Sequence, residues 1–101
     1  MREREIMDLF IQTGAYHKGH FRLSSGLHSD AYMQCARVLE NPIVAERLCK
    51  VLAVKFAGSE PDIVLGPAFG GIVLAYELAR ALGARAMFTE RNEQGKMSLR
   101  R

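Results

Sequence analysis

Residues 61–71 constrain this chain more than any other stretch, because they join a short apolar run to a pair of glycines and a long apolar segment. Residues 63–65 are rich in β-branched side chains and lie between a proline and a glycine, which predicts a buried strand over 62–65. Residues 71–82 have the length and composition of a helix. Residues 66–71 are therefore the predicted turn between a strand and a helix.

Two adjacent glycines in this turn indicate a site for an anion. Gly70 and Gly71 have no Cβ, so backbone N–H groups there can approach a ligand closely. The positive end of the helix dipole points into the same turn, which favours a phosphate group. The alternative is a plain connection whose glycines only permit tight packing, and the local pattern alone does not decide between the two.

A second apolar segment follows the helix and completes a recognisable unit. Residues 85–89 predict a strand, so the order strand, helix, strand predicts a right-handed βαβ unit with parallel strands. Residues 90–96 are a predicted polar loop, and residues 97–101 begin a further strand. The fold class is therefore α/β with a parallel βαβ core.

The N-terminal part of the chain predicts a helix and a hairpin. Residues 3–13 are amphipathic at helical spacing, with Gly14 as the stop. Residues 16–19 predict a polar loop. Residues 21–36 predict a β-hairpin, which we call the hood, and its turn formers cluster at 24–30.

Asn41 and Pro42 predict the start of the next helix, with Asn as the cap and Pro at the first helical position. Gly58 is its predicted end. Its predicted buried face consists of Ala45, Leu48, Cys49, Leu52 and Phe56.

Composition narrows the class of protein. The length of 101 residues allows one domain at most. No apolar run approaches the ~20 residues that span a bilayer, and the charged N-terminus has no apolar signal region behind it. Two cysteines are too few for a disulfide framework, and we expect both to be reduced in apolar surroundings. These observations predict a cytoplasmic protein without a membrane partner, whose mild net charge of +3 favours a solvated surface over nucleic-acid binding.

Three sequence blocks carry a resemblance to a known family. They are Ser-Ser-Gly-Leu-His-Ser-Asp-Ala-Tyr at 24–32, Gly-Pro-Ala-Phe-Gly-Gly-Ile at 66–72, and Glu-Arg at 90–91 with Gly-Lys-Met-Ser-Leu-Arg-Arg at 95–101. In this order and spacing the chain resembles the N-terminal half of the orotate phosphoribosyltransferases, which are type I phosphoribosyltransferases. The resemblance implies a partial Rossmann-like fold and transfer of ribose 5-phosphate from phosphoribosyl pyrophosphate to orotate, assisted by Mg²⁺. The product, orotidine 5′-monophosphate, belongs to de novo pyrimidine synthesis.

The resemblance also implies roles for individual residues. The hood would bind orotate through Ser24, Ser25, Gly26, Tyr32 and Met33. Phe69, Gly70 and Gly71 would hold the pyrophosphate, and no residue is assigned to a metal. The catalytic residues would be Arg91 and Lys96, on a mobile loop that reaches the neighbouring subunit in family dimers. For Tyr32 the alternative is a core aromatic at strand spacing, and for Arg91 and Lys96 it is a solvated loop charge.

This sequence departs from the family in ways that affect its expected activity. Many relatives have Tyr-Lys where this chain has Phe69 and Gly70, and many have Lys in place of Ser24. No two acidic residues are adjacent in the chain, so the acidic pair and the Thr/Gly turn of the type I family have no counterpart. We therefore expect a truncated domain, with helix and hood in 1–40 and a partial core in 41–101, that is inactive alone and forms a homodimer. The alternatives are a non-catalytic binding or assembly module and a relative acting on another base.

Overall fold

Residues 2–99 are described by the computed structural model of the chain, and they divide into two units after Asn41. Arg100 and Arg101, at the end of the predicted final strand, lie outside the described residues. Within the described part, no helix is long and apolar enough to cross a membrane.

The first unit contains two helices and a hairpin. In chain order these elements are α1 Glu3–Gln12, β1 Tyr16–Arg22, β2 His28–Met33 and the short α2 Ala36–Leu39. Helix α1 confirms the predicted helix, because Leu9 is buried while Ile6 and Phe10 on the same face are half-buried. The Thr13 hydroxyl donates to the Leu9 carbonyl at 2.9 Å, which satisfies one of the last carbonyls of the helix.

Strands β1 and β2 pair antiparallel and confirm the predicted hairpin, although its limits differ. The predicted loop at 16–19 is wrong, because Tyr16 pairs with Met33 and β1 begins there. The turn is shorter than predicted, since β2 begins at His28. The extended stretch predicted for 32–36 ends at Met33. Cross-strand hydrogen bonds, rather than side-chain polarity, decide these limits.

The second unit holds the α/β core. Its elements are α3 Pro42–Phe56, a 3₁₀ turn Ala57–Ser59, β3 Ile63–Pro67, α4 Gly70–Leu82, β4 Arg85–Arg91 and β5 Met97–Ser98. Strand β3 pairs parallel with β4, and β5 pairs antiparallel with β4. The predicted βαβ arrangement and fold class are therefore confirmed. Gly83 ends α4 in the left-handed conformation, at φ 71°.

Small side chains form the contact between α3 and α4. Three residues of α3 are buried, spaced four apart, and two of α4 are buried at the same spacing: Ala45, Cys49, Ala53, Ala75 and Ala79. The predicted face of α3 is correct at its first turns, but Phe56, the last residue of the helix, is exposed. The expectation for the thiols is likewise half right, since Cys49 is buried and Cys35 is exposed.

Strand β3 is buried on one face only, which corrects the prediction of a fully buried strand. Gly66 is buried, and Val64 on the same face is half-buried. On the opposite face Ile63 is 38% exposed and Leu65 is 55% exposed. Successive side chains of a strand alternate between faces, so α4 covers one set and leaves the other open.

Candidate functional site

The carboxyl ends of the two parallel strands lie at the same edge of the sheet. Pro67 of β3 is the register partner of Thr89 of β4, and the Ala68 N–H donates to the Thr89 carbonyl at 2.7 Å. This edge is where parallel sheets bind ligands. The structure therefore brings the turn at 69–71 close to the strand end that carries Arg91.

The turn leads directly into the N-terminus of α4. Phe69 is the N-cap residue, it is 84% exposed, and its side chain makes no capping hydrogen bond. The Ile72 N–H donates to the Phe69 carbonyl at 3.2 Å. The first N–H groups of a helix have no intrahelical acceptor, and the helix dipole makes this end positive. The geometry of this turn is compatible with an anion, and the anion site stays a prediction.

Glycine occupies the positions of this turn for different structural reasons. A Cβ on Gly66 would lie 2.8 Å from the Cβ of Ala75, and a Cβ on Gly71 would lie 2.5 Å from Cδ of Pro67. Non-bonded carbon atoms do not approach each other this closely. Strand β3 and helix α4 can therefore pack together only because positions 66 and 71 have no Cβ. A Cβ on Gly70 would meet nothing within 4 Å. The packing alternative thus holds for Gly71, while packing does not explain Gly70.

The loop between β4 and β5 is closed by its own hydrogen bonds. Arg91 Nη1 donates to the Gly95 carbonyl at 2.7 Å. The Oδ1 atom of Asn92 accepts from the N–H groups of Gln94 and Lys96, each at 3.0 Å. The Asn92 N–H also donates to the Lys96 carbonyl at 2.8 Å.

The role of Asn92 in this loop was not among the sequence predictions. The signal was present, because an Asn side chain commonly accepts hydrogen bonds from N–H groups that follow it in a turn. The glycine three residues later, Gly95, takes the left-handed conformation at φ 76°. The predicted loop at 90–96 also begins later than expected, since β4 extends through Arg91.

The hood turn is compact and exposed. The Leu23 N–H donates to the Leu27 carbonyl at 2.8 Å, and Gly26 takes φ 88° between them. The Ser25 hydroxyl oxygen accepts from the Leu27 N–H at 3.3 Å, which engages one predicted ligand group in the turn itself. Ser24 is exposed in the same turn.

Tyr32 and Met33 lie at the end of β2 and are 38% and 40% exposed. The Tyr32 ring lies 5.6 Å from the Phe21 ring between centroids, and its hydroxyl accepts from Gln34 Nε2 at 3.3 Å. Tyr32 is therefore a surface aromatic of the hairpin rather than a core residue. The five predicted orotate residues all belong to the first unit, and the five predicted pyrophosphate and catalytic residues to the second.

Sequence comparison connects these elements to a family. Over 101 residues the chain is 54% identical to the orotate phosphoribosyltransferase of Desulforamulus reducens and 52% identical to that of Thermoanaerobacter sp. strain X514. The chain is similar along its whole length to part of these orotate phosphoribosyltransferases. It spans about half the length of these relatives, covering 52% and 53% of them. No protein-family model matches the chain.

Solved structures confirm the fold. The chain is similar to the crystal structure of orotate phosphoribosyltransferase from Aeropyrum pernix, with a TM-score of 0.74, 24% identity, and coverage of 93% of this chain and 56% of that one. The structure of Leishmania donovani UMP synthase matches with a TM-score of 0.76 at 16% identity, over 96% of this chain and 22% of that one. The α/β architecture is therefore that of the orotate phosphoribosyltransferase structures.

Proposed function

We propose that this chain is part of a cytoplasmic orotate phosphoribosyltransferase, which transfers ribose 5-phosphate from phosphoribosyl pyrophosphate to orotate in pyrimidine biosynthesis. The observation that carries the proposal is the identity of about half of all residues, along the whole chain, with proteins of that name. The described residues of the three blocks lie on the hood, around the β3–α4 turn, and on β4, β5 and the loop between them.

The proposed chemistry separates charge at the sugar. The lone pair of a pyrimidine nitrogen attacks the anomeric carbon, the bond to pyrophosphate breaks, that bond's electrons leave with pyrophosphate, and the proton of the attacking nitrogen passes to water. Positive charge develops on the ribose and negative charge on the leaving group. In the proposal, the N–H groups of Gly70 and Gly71 and the cations of Arg91 and Lys96 stabilise the leaving group. The common sheet edge of turn and loop supports this division of roles.

The proposed base site uses the hood. Tyr32 or Met33 covers the flat face of orotate, while Ser24, Ser25 and the Gly26 backbone hydrogen-bond its carboxylate and carbonyl oxygens. The exposure of Tyr32 and Met33 supports such a role, because a buried ring could not contact a ligand.

The departure from the family at Gly70 has a physical consequence. Where many relatives have a lysine, this chain has only backbone, so the turn contributes main-chain donors and no cation. The open space around Gly70 is consistent with a longer side chain at this position in relatives. We propose that Arg91 and Lys96 supply the positive charge that the turn lacks.

Mg²⁺ enters this proposal only with the substrate. Between residues 2 and 99, no three side chains of His, Cys, Asp or Glu cluster as metal ligands. Mg²⁺ in proteins commonly binds substrate phosphates and water together with one or two carboxylates. We therefore propose that the ion is carried by the pyrophosphate group, and we assign no residue of this chain to it.

A chimera tests the function directly. Residues 1–101 would replace the matched half of the Desulforamulus reducens relative, and orotate consumption would be followed by absorbance with phosphoribosyl pyrophosphate and Mg²⁺. We expect turnover comparable to that of the unmodified relative, and its loss by about 10²-fold or more in an Arg91→Ala chimera. A folded chimera that consumes no orotate would contradict the proposal and favour a non-catalytic module.

Residues 1–101 alone should not catalyse the transfer to orotate at an appreciable rate. The chain spans about half of its relatives, and the acidic pair expected to hold the ribose hydroxyls has no counterpart in it. Several contacts to substrate are then missing together, and each such loss costs roughly 10²–10³ in rate. Turnover by residues 1–101 alone within tenfold of the ~10 s⁻¹ typical of enzymes would contradict this expectation.

A further inference from the structure

Two histidines of the β1–β2 hairpin direct ring nitrogens at each other. His28 Nδ1 and His20 Nε2 are 2.7 Å apart, the ring centroids are 4.7 Å apart, and the ring planes differ by 34°. The centroid separation exceeds the nitrogen separation by slightly less than two ring radii, so the rings meet edge to edge instead of stacking. Both side chains are exposed to solvent.

This geometry suits a metal ion as well as a proton. As it stands, one ring N–H donates to the lone pair of the other ring, in an order set by the tautomers. When the donor ring carries its proton on its other nitrogen instead, both facing nitrogens present lone pairs, and neutral imidazole is a ligand that suits copper, nickel and zinc. We propose that His20 and His28 form a two-histidine site for a divalent late transition metal, Ni²⁺ or Cu²⁺.

The spacing of the nitrogens is close to that of neighbouring ligands on a tetragonal ion such as Ni²⁺ or Cu²⁺. With metal–nitrogen bonds of about 2.0–2.1 Å, a right angle at a tetragonal ion places two nitrogens about 2.9 Å apart, and a tetrahedral angle places them about 3.3 Å apart. The observed 2.7 Å is nearer the first value. Small rotations of the two exposed side chains would bring both nitrogens to bonding distance from one ion. Water molecules would complete its coordination.

The charges around the pair partly offset one another. Asp30 follows His28 by two residues in β2, on the same face of the strand, and its carboxylate favours a cation. Arg22 is the register partner of His28 across the hairpin and disfavours one. Among the described residues, no third His, Cys, Asp or Glu side chain clusters with this pair. The proposed site therefore has two protein ligands, and its affinity for the metal depends on both histidines binding the same ion.

A shared ion would link β1 to β2 beside the hood turn. The pair Arg22 and His28 is the last register pair before that turn. Metal binding should therefore slow the opening of the hairpin at this end. This inference concerns the hairpin alone and does not depend on the proposed function.

Nickel titration of the purified chain, free of any affinity tag, tests the site. Calorimetry would use a Cys35→Ser background, because that exposed thiol would compete for metal. We expect one Ni²⁺ per chain, with affinity reduced on the order of 10²-fold in His20→Ala and in His28→Ala, since a second linked ligand adds about that factor. His17→Ala is the matched control, on the same strand but outside the pair, and should bind as the parent does.

Hydrogen exchange of the hairpin amides provides a second measurement. Ni²⁺ should slow exchange of the hairpin amides in the parent and in His17→Ala. It should not change the exchange rates in His20→Ala or His28→Ala. His20→Asn and His28→Asn replace any alanine variant that fails to fold. Absence of saturable binding, equal affinity in parent and pair variants, or an equal loss in His17→Ala would overturn the proposal.

Discussion

Gly70 and Gly71 of the β3–α4 turn differ in the atoms that surround them, and substitution by alanine should therefore change stability differently at the two positions. Gly71→Ala should destabilise the chain by about 1–3 kcal/mol, because its Cβ would overlap Pro67 and overpacking costs about that much. Gly70→Ala is the matched control. The Cβ that it adds would meet nothing within 4 Å, so this substitution should change stability by only about 0.5 kcal/mol. Urea unfolding of both variants checks this. Equal midpoints for the two variants would show that packing does not require Gly71.

Asn92 should determine how rigid the loop between β4 and β5 is. Asn92→Ala removes the acceptor of two N–H groups, and a hydrogen bond contributes about 0.5–1.5 kcal/mol. We therefore expect the Gln94 and Lys96 amides to exchange up to about tenfold faster, measured by NMR hydrogen exchange. Asn92→Asp keeps an accepting oxygen and should exchange like the parent. If both variants exchanged alike, the side-chain oxygen would not be what orders the loop.

The α3–α4 contact carries an ion network at the scale of the element. Glu46 accepts from Lys50 of its own helix, with 2.9 Å between Nζ and Oε1, and pairs across the interface with Arg80 at 3.3 Å. Arg80 also pairs with Glu77. The hydrogen bond from Lys50, followed by that from Arg80, lowers the pKa of Glu46. Lys50 and Arg80 are exposed and the Glu46 side chain is 40% exposed, so solvent screens the two pairs of Glu46 and each adds little stability.

The lowered pKa of Glu46 predicts a direction for the pH dependence of stability. A carboxyl whose folded pKa lies below its unfolded value stabilises the fold above the unfolded pKa, and this contribution is lost as pH falls through the folded pKa. Glu46→Gln should therefore lose less stability on acidification than the parent. Urea midpoints over the acidic range measure this, with Glu93→Gln on the exposed β4–β5 loop as control. An unchanged acid slope in Glu46→Gln would contradict the prediction.

The open face of β3 matters at the scale of the whole molecule. Ile63 and Leu65 are exposed, and within residues 2–99 β3 is one of the two outer strands in the order β3–β4–β5. An unpaired strand edge beside exposed apolar side chains favours pairing with another polypeptide. We therefore expect a homodimer or larger assembly, or low stability as a monomer.

Sedimentation velocity and thermal melting of residues 1–101 test this expectation. At micromolar concentration, association or a broad, low-temperature transition would support it. Leu65→Thr, which makes that face more polar, should shift the distribution toward monomer. A parent chain that sediments as a compact monomer and melts cooperatively would count against the expectation.

The elements that sequence reasoning predicted well depend on local physics. Helix α1 follows from the spacing of its apolar residues, and α3 from Asn41 and Pro42 at its start. Strand, turn and helix over 62–82 follow from β-branched residues, glycines and a helix-length apolar run, and Gly83 terminates α4. The resemblance likewise depended on short blocks in order, and the relatives at about 50% identity agree with it.

What only the tertiary structure decided depends on partners distant in sequence. Polar residues 16–19 became a strand because β2 pairs with them, and Leu65 remained exposed because α4 covers the other face. Gly71 and Gly70 are adjacent and identical in sequence, yet only Gly71 lies against Pro67. Local patterns determine which backbone conformations are favoured, whereas burial and close contact depend on which elements meet, and no local pattern encodes that.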